Sequence, residues 1–459
     1  MSGVLTAVLM LGCAAEAFAA SDYGPGNERT GSASVMEGVT ESMILPEFWA
    51  SPDYKKLQMT PDEINAFNAR NFAAAETKMV DLSAESDTYN GEAMKKSLAG
   101  FENPKGLFLD GRPVPLSYYD AIRRNINGMK AAAEMPVRYG IAIHRSVMKG
   151  LPYSEYLSDS QSDPDWDNLA ASAVLVNEPL LVYGTTADGC FYYVQSEICA
   201  GWLPVNDVAI CHSREEWLQA ATHRNFLVVT GETITLEASA ANPAHSEQAF
   251  DMGTVLELSN DVEMVDNRMS WYNYVVWVPG IGADGMYEAT KALIPMSRDV
   301  HVGFLPFTQE KLIAQAMKCL GNRYGWGGML DSQDCSAYVR ELYLCFGMKL
   351  PRNTTWQAAM PVKIVSLEGK NDKERQEIFD RIPAGSIVQF PGHEMLYLGA
   401  SGGNHYTIND VSSVVVMNGD ERDLKRVRSV VINSMEKTFR GSGVSWLGAV
   451  TRVIIPWEN

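Results

Sequence analysis

The sequence predicts a multidomain α+β chain: a mainly helical N-terminal region, two small all-β barrels, and a C-terminal region of helices followed by an antiparallel strand set. Three observations carry this. Apolar spacing is helical up to about residue 130. Short aromatic and β-branched runs separated by Gly, Asp and Asn then occur twice, between 137 and 204 and between 225 and 300. From Thr308 a helical period returns and gives way to strands.

The chain of 459 residues has room for about three domains. Apolar residues make up 46% and charged residues 20%, an ordinary globular balance. A net charge of −18 argues against nucleic acid and anionic membrane as partners, because both would be repelled. Residues 4–15 form a short apolar run followed by Ala17-Phe18-Ala19, which reads as a signal peptide over 1–20, although its start carries no Lys or Arg. Export to the periplasm or cell envelope is the expectation. Leu11-Gly12-Cys13 also resembles a lipoprotein box, with Cys13 as the lipidated residue.

Six cysteines remain beyond Cys13, too few for a disulfide framework. Cys190 and Cys199 flank a hairpin pattern and could pair in an exported protein. Cys319 and Cys345 lie in helical patterns and read as buried thiols. No Cys/His cluster has metal-ligand spacing, so neither a metal nor another cofactor is expected.

Residues 21–130 are taken as the N-terminal region, opening with a Gly/Ser-rich tether. Thr60-Pro61-Asp62-Glu63 predicts a capped helix start, and a second helix follows Ser117 and closes at Gly128. The barrels are placed at 131–215 and 216–305. The C-terminal region, 306–459, begins with a helix carrying Leu312, Ile313, Ala316 and Leu320 on one face, ended by Gly321. Strands are expected at 385–390, 394–399, 405–408, 427–433 and 447–455.

The chemistry centres on Cys335. Asp334 can cap a helix that begins at the cysteine, with Val339, Leu342, Cys345 and Phe346 facing the core. Helix-start N–H groups favour a thiolate and could stabilise an oxyanion. His393 opens a strand and can take the thiol proton. A third polar group must orient the imidazole, and Asn409 and His405 share the required face of the next strand. No G-x-S-x-G elbow occurs, and Gly369-Lys370 is followed by Asn, so serine-hydrolase and phosphate-binding readings find no support.

Tyr324-Gly-Trp-Gly-Gly, Asp334-Cys-Ser, Leu350-Pro-Arg-Asn and Gly392-His-Glu-Met-Leu-Tyr-Leu-Gly together resemble the NlpC-type cell-wall endopeptidases, a papain-like family. Asp163-Pro-Asp-Trp-Asp and the stretch from Tyr193 to Trp202 are similar to the bacterial SH3-like barrels that accompany some members. Residues 40–130 resemble their N-terminal stabilising region. The resemblance implies a papain-like catalytic domain at 306–459 behind two SH3-like barrels. It implies cleavage of peptidoglycan stem peptides between D-γ-glutamyl and a diamino acid, usually meso-diaminopimelate, with a preference for a free N-terminal L-Ala. It makes Cys335 the nucleophile and His393 the base. Tyr406-Thr-Ile-Asn409-Asp410 matches the third motif with Asn where His is usual, which favours Asn409 over His405. Tyr324, Trp326, Asp334 and Ser336 would line the substrate cleft, Asp334 holding a substrate ammonium. One of Asp163, Asp165 and Asp167 could serve the same end from the barrel. A monomer acting on peptidoglycan-derived peptides is expected. A wall-binding protein with an inert cysteine domain, and a papain-like amidase or acyltransferase on another amide, are the alternatives.

Overall fold

A computed structural model describes residues 34–260, 264–419 and 421–458. The expected signal peptide and Cys13 lie outside these residues. Thr60 caps helix α1 (Pro61–Ala73) with the reciprocal bonds of a capping box: its hydroxyl accepts from Glu63 N–H, and the Glu63 carboxylate accepts from Thr60 N–H at 2.7 Å. Helices α2 (Gly91–Ala99) and α3 (Leu116–Asn127) follow. The apolar residues of this region divide between two neighbours. Trp49, Ile64 and Phe67 join the core of the C-terminal region, whereas Tyr119, Ile122 and Ile126 pack with Leu151, Tyr153 and Trp202 of the first β region.

That first β region is one seven-stranded antiparallel sheet. Its order runs Val208–Ile210, Arg138–Ala142, Pro179–Thr185, Phe191–Gln195, Ala200–Pro204, Ser146–Lys149, Ala170–Val174. Cys190 and Cys199 do not pair here, and both are free thiols. The register sets Gln195 opposite Ala200 and Phe191 opposite Pro204, so Cys199 sits at the closed end of the hairpin and Cys190 at the open end. Five residues of strand separate their levels, roughly 17 Å, well beyond the reach of a disulfide.

Helix α4 (Arg214–Ala221) leads into the second β region. Here Phe226–Val229 pairs with Val255–Glu257 and Val300–Val302, and a long hairpin joins Asn273–Ile281 to Tyr287–Pro295. These small sheets enclose Leu227, Val229, Phe250, Leu256, Val276 and Ile294.

The C-terminal region places α5 (Gln309–Lys318) and α6 (Cys335–Leu344) on one face of a six-stranded sheet. The sheet order is Lys363–Ser366, Arg452–Ile455, Ile387–Phe390, His393–Ser401, Asn404–Asn418, Glu421–Ser434. Tyr338, Val339, Leu342 and Tyr343 of α6 pack on Ile387, Leu396, Leu398 and Ile408. Met395, Tyr397, Val411 and Val453 line the opposite face under Trp446 and Leu447. The last expected strand, 447–455, is in fact a short helix, Trp446–Ala449, followed by the strand Arg452–Ile455. Ser445 caps that helix through Gly448 N–H, so local hydrogen bonding overrides the apolar run. Residues 36–459 form one compact unit.

Candidate active site

Asp334 holds the start of α6. One carboxylate oxygen accepts from Ala337 N–H at 2.9 Å and from the Ser336 hydroxyl at 3.0 Å, and the other accepts from Gly327 N–H at 3.1 Å. The Arg352 guanidinium closes on both oxygens, at 3.2 and 2.6 Å, and also donates to the Ser336 hydroxyl. Burial pushes the Asp334 carboxyl up, but the Arg352 charge and these hydrogen bonds outweigh it and the net shift is downward. Asp334 and Ser336 are both buried at 4% exposure. Their polar atoms are thus engaged in shaping the helix start and the glycine loop, leaving no free oxygen on Asp334 for a substrate ammonium. Sequence reading named neither Arg352 nor its partner role, although it lies in the Leu350-Pro-Arg-Asn motif.

Cys335, the first residue of α6, is buried, and its thiol is reached by the backbone N–H of Glu394. It therefore rests against the first peptide of the strand that carries His393. Burial and the neighbouring carboxyls of Asp334 and Glu394 raise the thiol above its ordinary value. The N–H groups of Cys335 and Ser336 stand in the first turn, where no helix carbonyl can accept them, whereas Ala337 N–H is taken by Asp334.

His393 lies on the Met395 face of its strand, covered by Trp446 at 5.3 Å and Phe390 at 5.4 Å between ring centroids. Its Nε2 is 2.9 Å from Asn409 Oδ1. The orientation of the Asn409 amide follows from its other side: Nδ2 donates to Asn433 Oδ1 at 2.8 Å, and Asn433 Nδ2 donates to Thr438 Oγ1 at 3.2 Å. With Oδ1 facing the ring, Nε2 carries the proton and Nδ1 is the basic nitrogen. Burial pushes the imidazole down to about 4, against the Asn409 hydrogen bond and with the help of the Arg440 charge. The resting pair is thus a neutral thiol and a neutral imidazole, and no hydrogen bond joins them directly among the described residues.

The structure brings Asn409 to His393 and leaves His405 elsewhere. His405 lies four residues up the strand, about 13 Å away along it. Its Nδ1 faces Glu436 at 2.8 Å and its Nε2 faces Asp380 at 3.2 Å. Asn433, on the next strand, has no signal in one sequence, because its placement depends on the register of the long hairpin joining Asn404–Asn418 to Glu421–Ser434.

The first β region supplies an aromatic wall. Trp166 stacks on Tyr324 (6.1 Å, 7°) and on Trp326 (5.1 Å, 26°). Asp163 binds Arg428 at 2.9 Å and Asp165 binds Arg323 at 2.6 Å, while Asp167 is buried against Lys149 at 3.0 Å. All three acids are therefore engaged within the protein. Gly327 and Gly328 press on the edge strand Ala170–Val174 of the seven-stranded sheet, where an added Cβ on Gly328 would meet Ala173 N at 2.6 Å. Arg145 ties the same loop down, donating to the carbonyls of Gly328 (2.8 Å) and Ser332 (2.7 Å) while pairing with Asp251.

Residues 321–433 match the NlpC/P60 family and residues 156–204 match the SH3 domain of SH3b1 type. A dipeptidyl-peptidase 6 of Lysinibacillus sphaericus is 27% identical over 111 residues, which are 22% of this chain and 36% of that protein, so the chain spans about a third of that relative's length. An NlpC/P60 endopeptidase from Photobacterium damselae subsp. piscicida shares the fold, with a TM-score of 0.69 at 16% identity over 90% of this chain and 97% of its own. An NlpC/P60 family protein from Bacillus cereus aligns over 70% of this chain and 99% of its own, at 15% identity and a TM-score of 0.47. The cysteine at the helix start and the histidine on the adjoining strand thus both fall within the residues that match the NlpC/P60 family, downstream of a segment that matches an SH3 domain.

Proposed function

We propose that this chain is a cysteine endopeptidase that hydrolyses the D-γ-glutamyl–diamino acid bond of peptidoglycan stem peptides and favours those with a free N-terminal L-Ala. The observation that carries the reading is the Asn433–Asn409–His393 chain, which leaves His393 Nδ1 basic beside the peptide against which the Cys335 thiol rests. In the reaction, Nδ1 takes the thiol proton as Sγ attacks the γ-glutamyl carbonyl carbon. The tetrahedral oxyanion is met by the unspent N–H groups of Cys335 and Ser336. His393 then gives its proton to the leaving amine, the C–N bond breaks, and water activated by the same nitrogen releases the acid from the thioester. In the low-dielectric site, moving a proton between the two groups creates an ion pair with no net charge, which burial opposes far less than a single charge.

The preference for a free amine rests on the wall formed by Trp166, Tyr324 and Trp326, which closes one side of the glycine loop. The test is incubation of L-Ala-γ-D-Glu-meso-diaminopimelate and its N-acetylated form with wild type and with Cys335→Ala. Wild type should release diaminopimelate from the free peptide and Cys335→Ala should not. Failure of the wild type on both peptides would overturn the function, and equal rates on both would remove the amine preference.

A further inference from the structure

A cavity of about 230 Å³ opens beside His393, walled by Phe390, Val414, Leu424, Phe439 and Trp446. Cys335, Tyr324 and Trp326 do not line it. One cation does. The Arg440 guanidinium lies 4.5 Å over the Phe390 ring and is half-buried, and among the described residues it has neither a carboxylate nor a hydrogen-bond partner. Four other arginines are each matched with a carboxylate: Arg145 with Asp251, Arg340 with Glu178, Arg352 with Asp334, Arg428 with Asp163. A half-buried guanidinium left without an anion, on a wall that also carries Ser412 and Ser413 beside its apolar side chains, is suited to receive a carboxylate from outside the chain.

Proton bookkeeping says which half of the substrate meets it. The imidazole that protonates the leaving amine must lie against the residue bearing that amine. The acyl half therefore runs toward Cys335 and the aromatic wall, and the leaving amino acid lies on the His393 side, where this cavity is. We propose that the cavity holds the leaving diamino acid and that Arg440 binds the carboxylate at the far end of its side chain. The apolar walls take the methylene chain. Diaminopimelate carries that distal carboxylate and lysine has a hydrogen in its place, so Arg440 sets the choice between the two. This inference rests on the bond assignment proposed above.

The experiment measures kcat/KM for L-Ala-γ-D-Glu-meso-diaminopimelate and L-Ala-γ-D-Glu-L-Lys with wild type, Arg440→Gln and Arg440→Lys. Wild type should prefer the diaminopimelate peptide by about 10- to 150-fold, the range of a charge-assisted hydrogen bond. Arg440→Gln should bring the ratio close to one, mostly through KM, and Arg440→Lys should restore part of it. A wild-type ratio near one overturns the proposal without need of any variant. So does a ratio that survives Arg440→Gln, even where overall activity falls. Cleavage of neither peptide by wild type instead refutes the bond assignment itself, and the inference falls with it.

Discussion

Replacing Asn409 by alanine removes the acceptor from His393 Nε2–H inside a fully buried network. The damage can be traced atom by atom. Asn433 Oδ1 loses the Asn409 donor but keeps the Thr407 hydroxyl at 3.0 Å, so the second amide remains satisfied. Among the described residues the imidazole Nε2–H has no other acceptor, and the ring becomes free to rotate or to place its proton on Nδ1, the nitrogen that must be basic. Losing a hydrogen bond to a group that becomes charged in the reaction costs about 1.5–3 kcal/mol, or roughly 10- to 150-fold in kcat/KM, since about 1.4 kcal/mol is tenfold. Most of the loss should fall on kcat, because the bond tightens as the imidazolium forms. The assay is hydrolysis of the free-amine tripeptide by Asn409→Ala and His405→Ala, with thermal melting of both. His405→Ala should lower the melting temperature, since Glu436 and Asp380 lose the imidazole between them, with kcat largely kept. Full activity in Asn409→Ala, or a selective loss in His405→Ala, would refute the assignment.

Three further outcomes are expected. Arg352→Ala leaves the Asp334 carboxylate buried without its cation and should cost about 3–5 kcal/mol in urea unfolding; a loss below about 1 kcal/mol would mean the pair does not hold the helix start. Gly328→Ala should destabilise by at least about 1–3 kcal/mol and lower activity, because its φ of +91° is combined with a collision against Ala173, whereas Gly402→Ala at φ +59° meets nothing within 4 Å. Equal melting temperatures for the two would discount the domain contact. Burial pushes the carboxyls of Glu341, Glu394 and Asp410 up to about 7, 8 and 9. In the unfolded chain they titrate near about 4, so the folded state holds more protons through the window between. Their contribution to stability is whole below about pH 4 and is lost as pH rises through the folded values. Thermal melting should therefore fall between pH 6 and 9, and Asp410→Asn should flatten the alkaline end; a profile that rises over this range refutes the reading.

Much of the site was legible in the sequence because its local signals are strong. Asp334 before Cys335 announces a capped helix, and Thr60-Pro-Asp-Glu does so for α1. His393 at a strand start follows from the alternation of Met395 and Tyr397. What escaped depends on pairing between distant segments. The resemblance favours Asn409 over His405, but the distance along the strand that separates the two cannot be read from face parity. Arg352 and Asn433 act on residues of other elements, and the short helix Trp446–Ala449 reads as apolar strand until the Ser445 cap is seen. The acids Asp163 and Asp165 were read as possible substrate contacts because Arg428 and Arg323, which engage them, lie far off in sequence.

The stacking of Trp166 on Tyr324 and Trp326 means that the wall on one side of the glycine loop is coded in two remote stretches of the chain, one of which contains no group that takes part in bond breaking. On the proposed function, variation in the short loop around Trp166 would reshape that wall while Cys335 and His393 stay untouched. Residues 306–459 transplanted alone would, on the same reading, keep Cys335, His393 and Asn409 but lose the Trp166 side of that wall.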